Sequence, residues 1–205
     1  MKKSLKYLAV LLTCLFCTLV YADTSDPVNM LQSVADQLIQ ELKANRVTIK
    51  SNRSLVYSLA NRIVVPHADI DQMAMRVMPP NVWNNSTSAQ KTQFKHEFTT
   101  LLVRTYASAL ANYEDQTIKF YPVRGGYAGK STVRVTSKII RSDGPPISVD
   151  YRLVKEGSSW WLFDMTVEGV SLLESFRSQF ADKLNSGDMN ALIRELQRHN
   201  HGGNG

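Results

Sequence analysis

Cysteine is nearly absent from this chain of 205 residues, which has only Cys14 and Cys17. A disulfide-stapled scaffold is therefore excluded. Glycine and proline, at 10 and 7 residues, are too few for a fibrous or low-complexity protein. Charge of one sign is scarce as well. The 24 Lys and Arg stand against 18 Asp and Glu and are scattered, with no run of four basic residues. A dedicated nucleic-acid surface is not expected from that pattern. Long hydrophobic runs are limited to one, which excludes a polytopic membrane protein. What is present is 43% hydrophobic residues with 9% aromatics, enough for a chain of this length to bury a sizeable core.

The one apolar run lies at the N-terminus. Lys2, Lys3 and Lys6 precede it, and Leu8 to Val20 is apolar but well short of the roughly 20 residues a membrane span needs. Val20-Tyr21-Ala22 then places small residues where a signal peptidase cuts. Residues 1–22 are expected to be a cleaved secretory signal. Neither cysteine follows the Leu-small-small pattern of a lipoprotein site, so the exported protein is expected to be cysteine-free and unanchored. Residues 23–198 are expected to form a single domain, and 199–205 a disordered polar tail.

Helical patterning comes first. Asp26-Pro27 reads as an N-cap with proline at the first helical position, followed by Val28, Leu31, Val34, Leu38 and Leu42 on one face. A second helix is expected over about Ser51 to Val65, stopped by Pro66. A third carries Ile70, Met73, Ala74 and Val77 and is closed by Pro79-Pro80. Thr87 with Gln90 predicts a capping box opening a long helix to about Tyr113. The period then switches to two. Strands are expected over Thr117–Val123, Ser131–Arg141, from Ile147 past Leu153, and Trp160–Val167, the last covered on both faces and hence central. Trp161, Phe163, Met165 and Val167 are read as sharing one face of it. Ser171 with Glu174, and then Asp188, cap two closing helices. The order predicts an α+β fold: a curved four-stranded antiparallel sheet with helices packed on one face.

Motifs for chemistry are weak. Gly125-Gly126-Tyr127-Ala128-Gly129-Lys130-Ser131 is one residue short of a phosphate-binding loop, and strand formers follow where a helix is required. His67 and His96 lack metal-ligand spacing. Asp69 and Asp71 crowd a helix start, where caps are the ordinary reading. Asp164 interrupts an apolar strand and fits a hydrogen bond to a neighbouring loop at least as well as catalysis. The apolar face of Val149, Tyr151, Phe163, Met165 and Val167 confronts helices rich in Met, Phe and Leu. A filled core and a binding cavity both fit that composition.

Asn81-Val82-Trp83, Phe94-Lys95-His96-Glu97-Phe98 and Leu101-Leu102-Val103-Arg104-Thr105-Tyr106 resemble the helical signature of the MlaC, or toluene-tolerance, proteins. So do Val149-Asp150-Tyr151-Arg152-Leu153, Trp160-Trp161-Leu162-Phe163-Asp164 and Val167-Glu168-Gly169-Val170-Ser171-Leu172 running on to Phe176-Arg177-Ser178-Gln179-Phe180. The chain departs from that family at Met78-Pro79-Pro80-Asn81, where members usually carry Leu-Gly. The resemblance implies an NTF2-like cone with an added helical subdomain. It implies a monomeric periplasmic carrier of glycerophospholipid, with no cofactor, that maintains outer-membrane lipid asymmetry. Its partners would be an outer-membrane lipoprotein–porin complex and an inner-membrane ABC transporter with its substrate-binding hexamer.

On that resemblance the expected pocket wall takes Met73, Val77, Phe98, Leu102 and Tyr106 from the helices. The sheet adds Val149, Tyr151, Phe163, Met165 and Val167, with Val170 and Leu173 at the rim. Two other functions compete with lipid carriage. One is an NTF2-like enzyme acting on a small apolar molecule with Asp164 or Asp69 as base. The other is a periplasmic chaperone for apolar segments.

Overall fold

Helix α1 (Pro27–Ala44) begins at its expected cap, with the Asp26 carboxylate accepting from the Val28 and Asn29 N–H groups at 2.7 and 3.1 Å. The computed structural model describes residues 26–113, 115–184 and 188–202. The expected signal segment lies outside them. Among the described residues no helix is long and apolar enough to cross a membrane. The helix expected over 51–65 is α3 (Ser54–Ile63), followed by a 3-10 turn at Val65–His67, and a further short helix, α2 (Arg46–Ser51), precedes it. Asn52 makes the break, its side-chain oxygen accepting from the Ser54 N–H at 3.1 Å.

Helix α4 (Ile70–Val77) lies where its periodicity predicts. Pro79-Pro80 does more than stop it. Pro80 opens a short helix α5 (Pro80–Asn85), at a first-turn position where the missing N–H has no helical acceptor to lose. Helix α6 (Ser88–Ala111) carries the expected capping box: the Gln90 N–H donates to Thr87 Oγ1 at 3.2 Å and the Thr87 N–H to Gln90 Oε1 at 2.8 Å. Thr87→Ala is expected to lower stability by about 1 kcal/mol, read as a shifted urea midpoint with unchanged slope.

The sheet is antiparallel in the order β1-β2-β3-β4-β5. Its strands are β1 (Thr117–Phe120), β2 (Thr132–Ile140), β3 (Ile147–Glu156), β4 (Ser159–Val167) and the two-residue β5 (Val170–Ser171). The count is five rather than the four expected. β5 is too short to show a period. It forms because Glu168 and Gly169, both at positive φ, reverse the chain directly onto β4. β4 is therefore not central. Its outer edge meets only β5 and one parallel bridge, where the Asp69 N–H donates to the Leu162 carbonyl at 2.8 Å.

The glycine-rich segment before β2 is a turn connection. Lys130 Nζ donates to the Gly125 and Gly126 carbonyls of its own loop at 3.2 and 2.6 Å, and a strand follows. Helix α7 (Leu172–Lys183) is capped by Ser171, whose Oγ accepts from the Glu174 N–H at 3.2 Å. Helix α8 (Met189–Gly202) corrects the expected tail, because residues 199–202 are helical. Asn200 supplies the reason. It is buried and donates to both the Glu97 carbonyl, at 3.0 Å, and the Glu97 carboxylate, at 2.8 Å.

Three apolar clusters hold the molecule. The largest joins α4, α6, α7 and α8 around Phe94 and Phe98, stacked at 5.6 Å, with Phe176 edge-on to Phe98 at 5.6 Å and Phe180 edge-on at 5.9 Å. A second ties α1, α2 and α3 to α6 through Leu42, Ile49, Val56, Leu59, Ile63 and Ala107. The third seats Leu31 of α1 on the sheet residues Val133, Val135, Leu153 and Trp160.

Candidate functional site

One face of the sheet is almost wholly apolar. Cross-strand pairing aligns Val135 with Tyr151 and Tyr151 with Met165, then Ser137 with Val149 and Val149 with Val167. Ile139 pairs with Ile147 in the next row outward. Ser137 is the single polar side chain there, and its Oγ lies 3.2 Å from the Tyr151 hydroxyl, which satisfies both. Burial pushes the Tyr151 phenol above its usual range, against the opposing effect of Ser137, so it stays a neutral donor and adds no charge. On the reverse face Lys119, Arg134 and Lys138 of β1 and β2 are exposed.

Burial along the apolar face is uneven. At one end Leu31, with Val28 and Met30 beside it, covers Val133, Leu153 and Trp160. Toward the other end Tyr151, Met165, Val167, Ile139 and Ile147 are only half-buried. Leu102 and Tyr106, at the margin of the largest cluster, are half-buried too. Most domains merge such side chains into one contiguous core. Here the clusters stay separate, and the half-buried apolar side chains leave surface accessible at roughly 25 cal/mol for each Å².

The expected wall residues therefore divide. Met73, Val77, Phe98, Phe163 and Leu173 are buried in the Phe-rich cluster and pack it solid. Val149 is buried on the sheet face. Leu102 and Tyr106 are half-buried at the margin of the Phe-rich cluster, Tyr151 is half-buried against the cluster under α1, Met165 and Val167 are half-buried on β4, and Val170 is 60% exposed on β5.

Phe163 requires a correction of facing. The β3–β4 register runs Arg152 to Asp164 and then Leu153 to Leu162, so Phe163 is an extra residue with no partner across. This bulge inverts the alternation. Trp160 and Leu162, not Trp161 and Phe163, share the apolar face with Met165 and Val167. Phe163 turns to the opposite side, beneath the guanidinium groups of Arg76 and Arg152 at 4.7 and 4.9 Å. Ile147 belongs to this face, as its alternation with Ser148 predicts, and Leu162 and Ile139 are members of it that the expected wall leaves out. Alternation in β2 carries the signal for Ile139, whereas the bulge hides Leu162.

The acidic residues are committed to structure. Asp164 is 3% exposed, and its carboxylate accepts from the Met165 and Leu173 N–H groups at 2.8 and 3.3 Å and from Ser171 Oγ at 3.0 Å. Arg152 stands 3.7 Å away. The carboxylate thus clamps β4 to the start of α7. Asp69 caps α4 by accepting from the Gln72 N–H at 2.9 Å, and Asp71 pairs with Lys95. No group of three or more potential metal ligands occurs among the described residues.

Known proteins resemble this chain in sequence and in fold. The chain is 30% identical to the toluene tolerance protein ttg2D of Pseudomonas putida, over 91% of this chain and 86% of that one. It is 24% identical to the intermembrane phospholipid transport system binding protein MlaC of Haemophilus influenzae, over 97% and 93% of the two chains. The phospholipid-binding protein of Ralstonia solanacearum, solved in complex with a phospholipid, superposes with a TM-score of 0.78 at 30% identity, covering 85% of this chain and 97% of that one. The model of the MlaC protein family matches residues 32–198, and the chain belongs to that family.

Proposed function

We propose that this protein is a phospholipid carrier, not an enzyme, and that the acyl tails occupy the seam between the apolar sheet face and the helices. The observation that carries this reading is the half-buried set Leu102, Tyr106, Tyr151, Met165 and Val167. Each of these apolar side chains keeps surface that the protein itself does not cover. The phospholipid complex of the Ralstonia relative supports phospholipid as the cargo.

A carrier is what the energetics require. Each methylene brought into water costs about 0.8 kcal/mol, so two acyl chains total on the order of 20 kcal/mol or more. Unassisted transfer between membranes is negligible against such a barrier. Cargo held in an apolar seam also leaves slowly, so release is driven by a partner. In this reading the exported chain shuttles glycerophospholipid across the periplasm. It passes between an outer-membrane lipoprotein–porin complex and an inner-membrane ABC transporter with its substrate-binding hexamer.

Protein purified without detergent is expected to carry one two-chain phospholipid per chain, seen as a discrete mass increment by native mass spectrometry. Preparations free of lipid that also take up none from vesicles would overturn the proposal.

A further inference from the structure

A depression of about 350 Å³ lies on the helical layer, lined by the ends of α1 and α6 and by α2. Its volume falls within the range of small-ligand sites. Leu42 and Ile49, both buried, form an apolar floor with Leu110 and Ala111, while Arg46, Lys50 and Arg53 stand around it exposed. Arg46 and Lys50, four residues apart, share one side of α2, and Arg53 joins them at the rim from the start of α3. None of them forms an ion pair among the described residues. Two carboxylates are placed near this end. Glu41 is taken by Arg62 at 3.3 Å and by Asn45 at 3.2 Å, and Asp115 sits beside Tyr113. Next to Arg46, Val47 is 85% exposed, the most of any large hydrophobic side chain among the described residues.

We propose that α2 docks on an anionic bilayer surface, with a lipid phosphate held among Arg46, Lys50 and Arg53 and Val47 inserted at the acyl boundary. Unpaired cations around an apolar floor, with an apolar side chain projecting beside them, match the interface of anionic lipid, where charge and hydrocarbon lie a few ångströms apart. An acidic protein surface would satisfy the cations but leave Val47 and the floor wet. The site is distinct from the seam assigned to cargo, and it places the carrier against the membrane that supplies or receives lipid.

The test is co-sedimentation of the purified protein with vesicles at low salt. One set is phosphatidylcholine alone and the other holds about three-tenths phosphatidylglycerol. Binding is expected to the anionic vesicles and to fall as salt is raised. Each cation near the surface is worth about fivefold, so Arg46→Gln/Lys50→Gln/Arg53→Gln is expected to weaken binding about a hundredfold. Val47→Asp is expected to weaken it at least about tenfold. Native mass spectrometry of the same variants reads the cargo separately, and its occupancy is expected to be unchanged, so failure of docking and failure of carriage are distinguishable. Equal binding to both vesicle types, absence of binding by the parent protein, or unchanged binding by the triple variant would overturn the proposal. So would competition by soluble polyglutamate in which Val47→Asp has no effect, which would assign the patch to an acidic protein.

Discussion

Val167→Glu is expected to abolish phospholipid loading, by a factor of about a hundred or more, while the protein stays folded. Val167 pairs with Val149 on the apolar sheet face, beside the Tyr151–Met165 pair, yet keeps accessible surface. In the empty protein a carboxylate there retains water, and the change in stability is expected to stay near 1 kcal/mol. Filled with hydrocarbon, the same position removes that water with no partner to replace it. The energetic cost then falls on binding. Val149→Glu is the matched control, because Val149 is only 2% exposed. The charge there is buried in every state, and that variant is expected to unfold. Loading by native mass spectrometry and circular dichroism separate the two. Normal loading of Val167→Glu removes the seam as the cargo site, and unfolding like the Val149 variant makes Val167 part of a closed core.

The second large effect concerns folding rather than cargo. Asp164→Ala is expected to destabilise the protein by about 3–5 kcal/mol, since it strands buried donors that now reach one carboxylate. Most of that loss comes from the N–H groups of Met165 and Leu173 and the Ser171 hydroxyl. The Arg152 side chain is 46% exposed, so its ion pair is screened by solvent and adds little. For a domain of this size the midpoint of thermal unfolding is expected to drop by on the order of 10 °C. Phospholipid loading below that midpoint is expected to be unchanged, because Asp164 pairs with Arg152 on the face opposite Met165 and Val167. A catalytic base would behave otherwise. Loss of function in Asp164→Asn with full stability and full lipid occupancy would revive an enzymatic reading.

Much of the architecture was legible in the residues because it rests on local chemistry. The Asp26-Pro27 start, the Thr87–Gln90 capping box and the three long alternating strands are decided by neighbours a few positions apart, and each lies where its pattern predicts. Helices α2 and α5 were not legible. One is a six-residue helix bounded by Asn45 and the break at Asn52, and the other begins at a proline that reads equally well as a stop. Phe163 and Leu162 were misplaced for a different reason. A period-two reading assumes an unbroken ladder, and whether one residue loops out depends on the partner strand.

Composition and periodicity by themselves determined that this chain is an α+β protein, helices before and after an antiparallel sheet, with more apolar surface than a thin structure can hide. Only the tertiary structure decided which of those side chains are core. Phe98 and Val167 look alike in a pattern, yet one is enclosed with Phe94, Phe176 and Phe180 while the other is only half-buried. The physical reason is that burial is a property of packing between elements distant in sequence. No local period records whether the facing helix comes close enough to close the gap.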